Sequence, residues 1–466
     1  TIGEGTQLTV NNGSTFTNSG NGTLNKNDTL NGSFKQSTGT LNLKGVTTNG
    51  NLSLDDGDVN IAGDQTLTGS DNIDSNVDLT VDATLTNNGG TINLDSQDLI
   101  TSNGSISQTS GTINADNFAT AADGGSLKVN GGSLIISSDG LTLNNANDNI
   151  ADGATVNMNG NLTIKNGSIT LNTGDNLGKG TISQSGGSLT ISEISTGSAT
   201  LNSTSGNLTL DGATIEGNDT IAGTVNTTID VNGVTISNTS ADGIILNNGD
   251  KINGTVNQQG GNLSLAGVTT NGKLNSTGGK LNITGDQTLT SGDTIGSGAN
   301  LTVDATLTNN GGTINLNNGD KIESVGSISQ TSGTINADNF ATAADGGSLK
   351  VNGGSLDISS GSLTLNNAND IITDGATVDI QNNLTINNGS VTLSSADNPE
   401  SGTIKQTNGT LNLNGIKTGD INLNSTGGNL NLTNITLNNS NDSISSEVNA
   451  TIGGNLTVNN GSITLN

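Results

Sequence analysis

Carboxylates are the main reactive groups this sequence offers. It carries 41 Asp and Glu against 13 basic residues, all Lys, with no His, Cys, Trp or Tyr. The densest acidic run is Asp55-Asp56-Gly57-Asp58. Three carboxylates with the carbonyls of a turn are hard oxygen donors suited to calcium, so Asp55, Asp56 and Asp58 are the candidate metal ligands. The same run also reads as an acidic turn whose carboxylates accept backbone amides. The chain repeats itself internally, and the equivalent positions of the second copy hold Thr277-Gly278-Gly279-Lys280, so the run does not recur. The Gly-Gly-x-Gly-x-Asp nonapeptide of calcium-binding β-rolls is absent.

Two further sets of polar residues are periodic. One Asp series is Asp28, Asp98, Asp175, Asp250, Asp320 and Asp397, and a second is Asp71, Asp148, Asp219, Asp293, Asp370 and Asp442. An Asp can accept the backbone amide two residues on and so fix a turn, which is the role expected here. Gln36, Gln108, Gln184, Gln258, Gln330 and Gln406 form the third series, each followed three residues later by Gly. These Gln are expected either to stack as an internal amide ladder or to sit at a corner. Asn-x-Ser/Thr sequons are abundant, Asn12, Asn21, Asn51, Asn161, Asn253, Asn300, Asn383 and Asn455 among them. In a chain so rich in Asn, Ser and Thr, about this many arise by chance; they are candidate glycosylation sites if the chain is secreted.

Composition excludes several classes. Without His or Cys no zinc or haem site of the usual kind can be built, and no disulfide framework either. A net charge of -28 argues against nucleic acid, because every phosphate contact needs a cation. No apolar run approaches the length of a membrane-spanning helix. The chain starts at Thr1 without a basic segment followed by an apolar one, so any targeting signal is missing or already removed. High charge and abundant Gly also suit disorder. Against that, 29% of the residues are hydrophobic, and they alternate with polar ones in short regular runs.

Those runs are the elements that must position the polar series. Leu41-Asn42-Leu43, Leu79-Thr80-Val81, Leu162-Thr163-Ile164, Leu301-Thr302-Val303 and Leu384-Thr385-Ile386 have a period of two. Such runs read as strands with one face buried and one wet. Most are bounded by Asn-Gly, Gly-Gly, Asp-Gly or Ser-Gly, which are turn dipeptides. Helical spacing appears over no useful length. The segment Gly104 to Leu134 recurs unchanged at Gly326 to Leu356, an offset of 222 that also relates Phe118 to Phe340. Two copies of the unit, for example 23–244 and 245–466, leave only positions 1–22 over. Successive Gln spacings of 72, 76, 74, 72 and 76 divide each unit into three sub-repeats. Interleaving the two Asp series gives alternating gaps of about 45 and about 28. A gap of 28 fits one coil of a solenoid and 45 fits two shorter ones. The expected fold is therefore an all-β parallel β-helix, a right-handed β-solenoid, with about 25 residues per coil and three coils per sub-repeat. The competing count is four coils of about 18–19 residues.

The strand pattern Asn/Ser-Leu-Thr-aliphatic, followed by x-Asn-Gly and Gly-Ser/Thr-aliphatic-x-aliphatic, resembles the β-helical shafts of large secreted bacterial surface proteins. These are the filamentous-haemagglutinin-like and autotransporter-passenger adhesins. The resemblance covers essentially the whole chain and is one of composition and periodicity. It implies a non-enzymatic, extracellular or cell-surface structural protein, a shaft or filament subunit, without cofactor. Its partners would be copies of itself, joined end to end or laterally, together with a host or neighbouring cell surface. The second reading is a binding module whose lateral face takes a glycan or a neighbouring cell. The third is a glycan-active enzyme, since polysaccharide lyases and pectinases resemble this architecture. That reading lacks Arg, His, cleft-building loops and aromatic sugar platforms. The sequence through Thr1-Ile2-Gly3 and Gln7 to Ser14 nearly matches Thr451 to Ser462, so the chain begins almost where it ends. That match, and the stop at Asn466, lead to the expectation that the chain is part of a longer array or a link in an end-to-end polymer.

Overall fold

The computed structural model describes residues 7–239, 243–358, 361–419 and 421–464. Thr1, Ile2, Gly3 and Asn466, which entered the comparison of the two ends, lie outside the described residues. Alternating Leu/Ile/Val runs broken by Gly and Asn corners give short strands, and every described ladder is parallel. Among the described residues there is no helix; the chain is a β-solenoid of roughly 20 residues per turn and about 22 turns. Among the described residues no helix is long and apolar enough to cross a membrane. The chain divides into two compact units, Thr1–Val234 and Thr235–Asn466.

The coil is shorter than the sequence suggested. In the first unit Leu41 pairs with Val59 and Val59 with Leu79, and further along Leu134 pairs with Val156. Partners on successive coils thus lie roughly 20 residues apart. The 222-residue unit is therefore about 11 turns, and the expectations of about 25 residues per coil and three coils per sub-repeat are corrected accordingly. Each coil has three faces, and the sub-repeat does not match a whole number of coils. The coil at 105–119 shows this. Gln108 lies on its first face, in the strand Ser105–Ala115. Ile113, on its second face, belongs to the ladder that leads back through Ile92, Ile73 and Leu54 to Gln36. The strand Phe118–Ala119, on its third face, leads forward through Leu141–Leu143 and Leu162–Ile164 to Gln184. Each sub-repeat thus spans eleven faces, or three and two-thirds turns, and its Gln steps round by one face each time. The second unit repeats the order. Gln258 shares a ladder with Ile335, Gln330 lies in Ser327–Asp338, and Gln406 continues the ladder of Phe340–Ala341.

The core follows the alternation. Leu41, Leu43, Leu79, Val81, Leu162, Ile164, Leu301, Val303, Leu384 and Ile386 are all buried, as their period-two spacing required. The intervening Asn42, Thr80, Thr163, Thr302 and Thr385 are half-buried rather than fully exposed. Each points outward but is flanked by the like-facing residues of the coils before and after. Phe118 and Phe340 are both buried and occupy equivalent places, pairing with Leu141 and Leu363. Phe16 and Phe34, on adjacent coils, stack with ring centroids 5.5 Å apart.

Candidate functional site

The two Asp series converge on one arrangement. Each of the twelve closes a four-residue turn: its Oδ2 accepts the backbone N–H of the residue three positions earlier, at 2.6–3.2 Å. Among the described residues, Oδ1 of eleven of them also accepts an N–H from the preceding coil, at 2.6–2.9 Å. That donor is a Leu or Val one coil back, such as Leu127 for Asp148 or Leu349 for Asp370. Turn chemistry alone puts the partner two residues ahead within the same turn; instead the side chain joins its own turn to the coil before. A carboxylate has acceptor sites on both oxygens, which an amide or hydroxyl lacks, so Asp is the residue this position needs. Thr120, Thr196, Thr342 and Thr418 add a hydroxyl donor to Asp148, Asp219, Asp370 and Asp442.

Burial governs the ionisation of these groups. Eleven are buried, Asp175 being half-buried. Loss of water raises the carboxyl pKa of Asp71, Asp148, Asp175, Asp219, Asp370 and Asp397, with the accepted amides opposing the rise. Asp98 is pushed up to about 7 and Asp320 to about 6, again by burial.

The recurring Gln sits at a corner and builds a two-rung polar ladder instead of a continuous stack. All six are buried. Gln108 accepts from Asn87 at 3.0 Å and donates to the carbonyls of Gly131 and Ser133. Gln330 repeats this with Asn309, Gly353 and Ser355. Gln184, Gln258 and Gln406 accept from the hydroxyls of Ser203, Ser276 and Ser425. The Gly three residues after each Gln has positive φ, between 62° and 88°. That is the left-handed bend that turns the chain onto the next face; Gln36, Gln258 and Gln406 also donate to that Gly's carbonyl at 3.3–3.4 Å. Amide-to-amide bonds between coils also occur among outward Asn: Asn114 donates to Asn93 and Asn336 to Asn315.

Asp55, Asp56 and Asp58 are not brought together. Asp55 forms an ion pair with Lys35 and accepts from Ser53, and the lysine lowers its pKa. Asp58 accepts from Thr40 at 3.0 Å, and Asp56 is exposed. Among the described residues no three acidic side chains are grouped to hold a metal ion. The eight sequon asparagines named above are all exposed. A groove of about 400 Å³ in the second unit gathers Asp320, Lys321, Glu323 and Asp345. Both oxygens of Asp320 are taken up by the amides of Leu301 and Asn317, at 2.7 and 2.8 Å. No protein-family model matches the chain, and no curated protein sequence does.

Proposed function

We propose that this chain is a non-enzymatic structural protein of the cell surface or extracellular space, a segment of a shaft or fibre. One observation carries the reading: its most recurrent ionisable groups are committed to coil-to-coil bonds. A group that acts on a substrate must keep an atom free to meet it. In eleven of the twelve Asp both carboxylate oxygens accept backbone amides of the protein itself. The extracellular placement rests on the resemblance in composition and periodicity to secreted surface shafts. It is consistent with a chain without cysteine, which can be threaded unfolded through a secretion pore. Antibodies raised against the purified chain should label intact, unpermeabilised source cells, with the label following rods in electron micrographs. Labelling only after permeabilisation would overturn the placement.

A further inference from the structure

Near-identical repeats invite a search for where they differ. Over residues 51–101 the first unit carries ten Asp and no Lys, a net charge of −10. The equivalent residues 273–323 carry three Lys against four Asp and one Glu, a net −2. The exchange includes one sheet face. In the first unit Asp58 and Asp78 are register partners on adjacent coils, both exposed, and Thr80 pairs with the exposed Leu99. In the second unit the positions of Asp58, Asp78 and Leu99 hold Lys280, Asn300 and Lys321, all exposed, in the ladders Gly279–Gly285, Ala299–Val303 and Lys321–Ile322. There they line a shallow groove of about 360 Å³ together with Asn282, Thr302 and Glu323. Neither Lys280 nor Lys321 is in an ion pair with a described residue.

We propose that this face of the first unit docks on the equivalent face of the second unit in another copy of the chain. The occupant is argued from charge complementarity. At three matched positions one face presents two carboxylates and the other two ammonium groups, on the same pleated backbone with the same strand spacing. Like charges directly opposite in a ladder repel, so the Asp58–Asp78 pair gains most from cations supplied by a neighbour. A chain of net charge -28 repels its copies in general, so the matched faces also select the register in which two copies meet. The inference rests on the solenoid geometry and is independent of the extracellular reading.

Sedimentation velocity of the purified chain tests it. Copies should associate at about 0.1 M salt and separate at about 1 M, where the screening length falls from about 10 Å to about 3 Å. The double variants Lys280→Glu/Lys321→Glu and Asp58→Lys/Asp78→Lys should each lose self-association, with the dissociation constant weakened on the order of tenfold or more. Mixed together, the two variants should associate with each other, because one now has two acidic faces and the other two basic ones. Unchanged circular dichroism controls for folding. A wild-type chain that stays monomeric at low salt, or variants that self-associate as it does, would overturn the proposal. So would a monomeric chain that binds polygalacturonate through Lys280 and Lys321, which would make the basic face a site for acidic glycans.

Discussion

Asp148 is the position at which the coil-to-coil bond can be measured most directly. Its carboxylate accepts the N–H of Leu127 at 2.9 Å and that of Asn145 at 3.0 Å, along with the Thr120 hydroxyl. Asp148, Asn145 and Thr120 are all buried, so no water replaces the lost acceptor. Asp148→Ala would strand the Leu127 N–H and the Thr120 hydroxyl and leave the Asn145 N–H only its longer bond to Thr120 Oγ1, 3.3 Å. At about 1–3 kcal/mol for each of the two stranded groups, the local cost is on the order of 2–6 kcal/mol. Asp148→Asn keeps one acceptor oxygen but turns an NH₂ toward an N–H, so its cost should be smaller, about 1–3 kcal/mol. Because stacked coils exchange stability mainly with their neighbours, a single unfolding midpoint would dilute the effect. Hydrogen exchange read by mass spectrometry is the better assay. Peptides containing Leu127 and Asn145 should exchange at least about twentyfold faster in Asp148→Ala, since about 1.4 kcal/mol is a factor of ten. Peptides several coils away should be unchanged. The exposed Asp139→Ala serves as control. Equal exchange in Asp148→Ala and Asp139→Ala would refute the claim that the buried Asp ties one coil to the next.

Other outcomes follow from the same geometry. Burial raises the folded-state pKa of Asp98 to about 7 and of Asp320 to about 6, above the ordinary carboxyl value of 3.8, so the folded chain takes up protons first. Stability contributed by these groups should rise as pH falls from about 7 toward 3.8 and be lost as pH rises through about 6 to 7. The urea midpoint followed by circular dichroism should therefore be higher at pH 5 than at pH 8, and Asp98→Asn should flatten that slope; a slope of opposite sign would contradict it. Gly111→Ala should destabilise far more than Gly13→Ala. Both positions have positive φ, but a Cβ at 111 would lie 2.3 Å from the Gly90 carbonyl oxygen, whereas at 13 nothing lies within 4 Å. Equal thermal shifts in the two variants would mean that the close approach of adjacent coils is not what demands glycine. Asp357 and Asp379 face each other across one ladder, each with a buried Oδ1 lacking a partner. Asp357→Asn should therefore stabilise the second unit by about 0.2–1 kcal/mol, read as a raised urea midpoint; a loss of stability would show that the carboxylate has a partner.

The alternation of Leu41-Asn42-Leu43 and its kin was enough to read strand, inward face and solenoid, because a period of two admits one register over a buried core. Coil length was harder to read, for a geometric reason. Consecutive Asp of the two series fall on different faces: Asp71 precedes the strand Asn72–Ile73 on one face and Asp98 the strand Leu99–Ile100 on the next. The short gap between series is therefore four faces, or one and a third turns, and the long gap seven faces. Neither is a whole number of coils, so reading them as such inflated the coil. The true length was present in another signal. A Leu or Val stands one true coil before eleven of the twelve Asp, as Leu52 does before Asp71 and Val378 before Asp397, and it is the residue whose amide that Asp accepts. Asp55, Asp56 and Asp58 stand apart in the structure for a different reason. Adjacency in sequence does not bring them to one point: Asp55 turns to Lys35 and Ser53, Asp56 lies exposed in a bend, and Asp58, beyond the positive-φ Gly57, accepts from Thr40.

Eleven and three share no common factor, and this governs what gene duplication can do here. Gaining or losing one sub-repeat changes the chain by a whole number of faces, so every strand downstream still finds a strand to pair with. What changes is azimuth: all later surface chemistry is swung by a third of a turn about the axis. A substitution carried in every sub-repeat is therefore spread evenly over all three sides. Only features that arise once in every three sub-repeats can accumulate on one side. Unequal crossing-over between sub-repeats can thus alter length freely, while a one-sided surface can be inherited only in blocks of three.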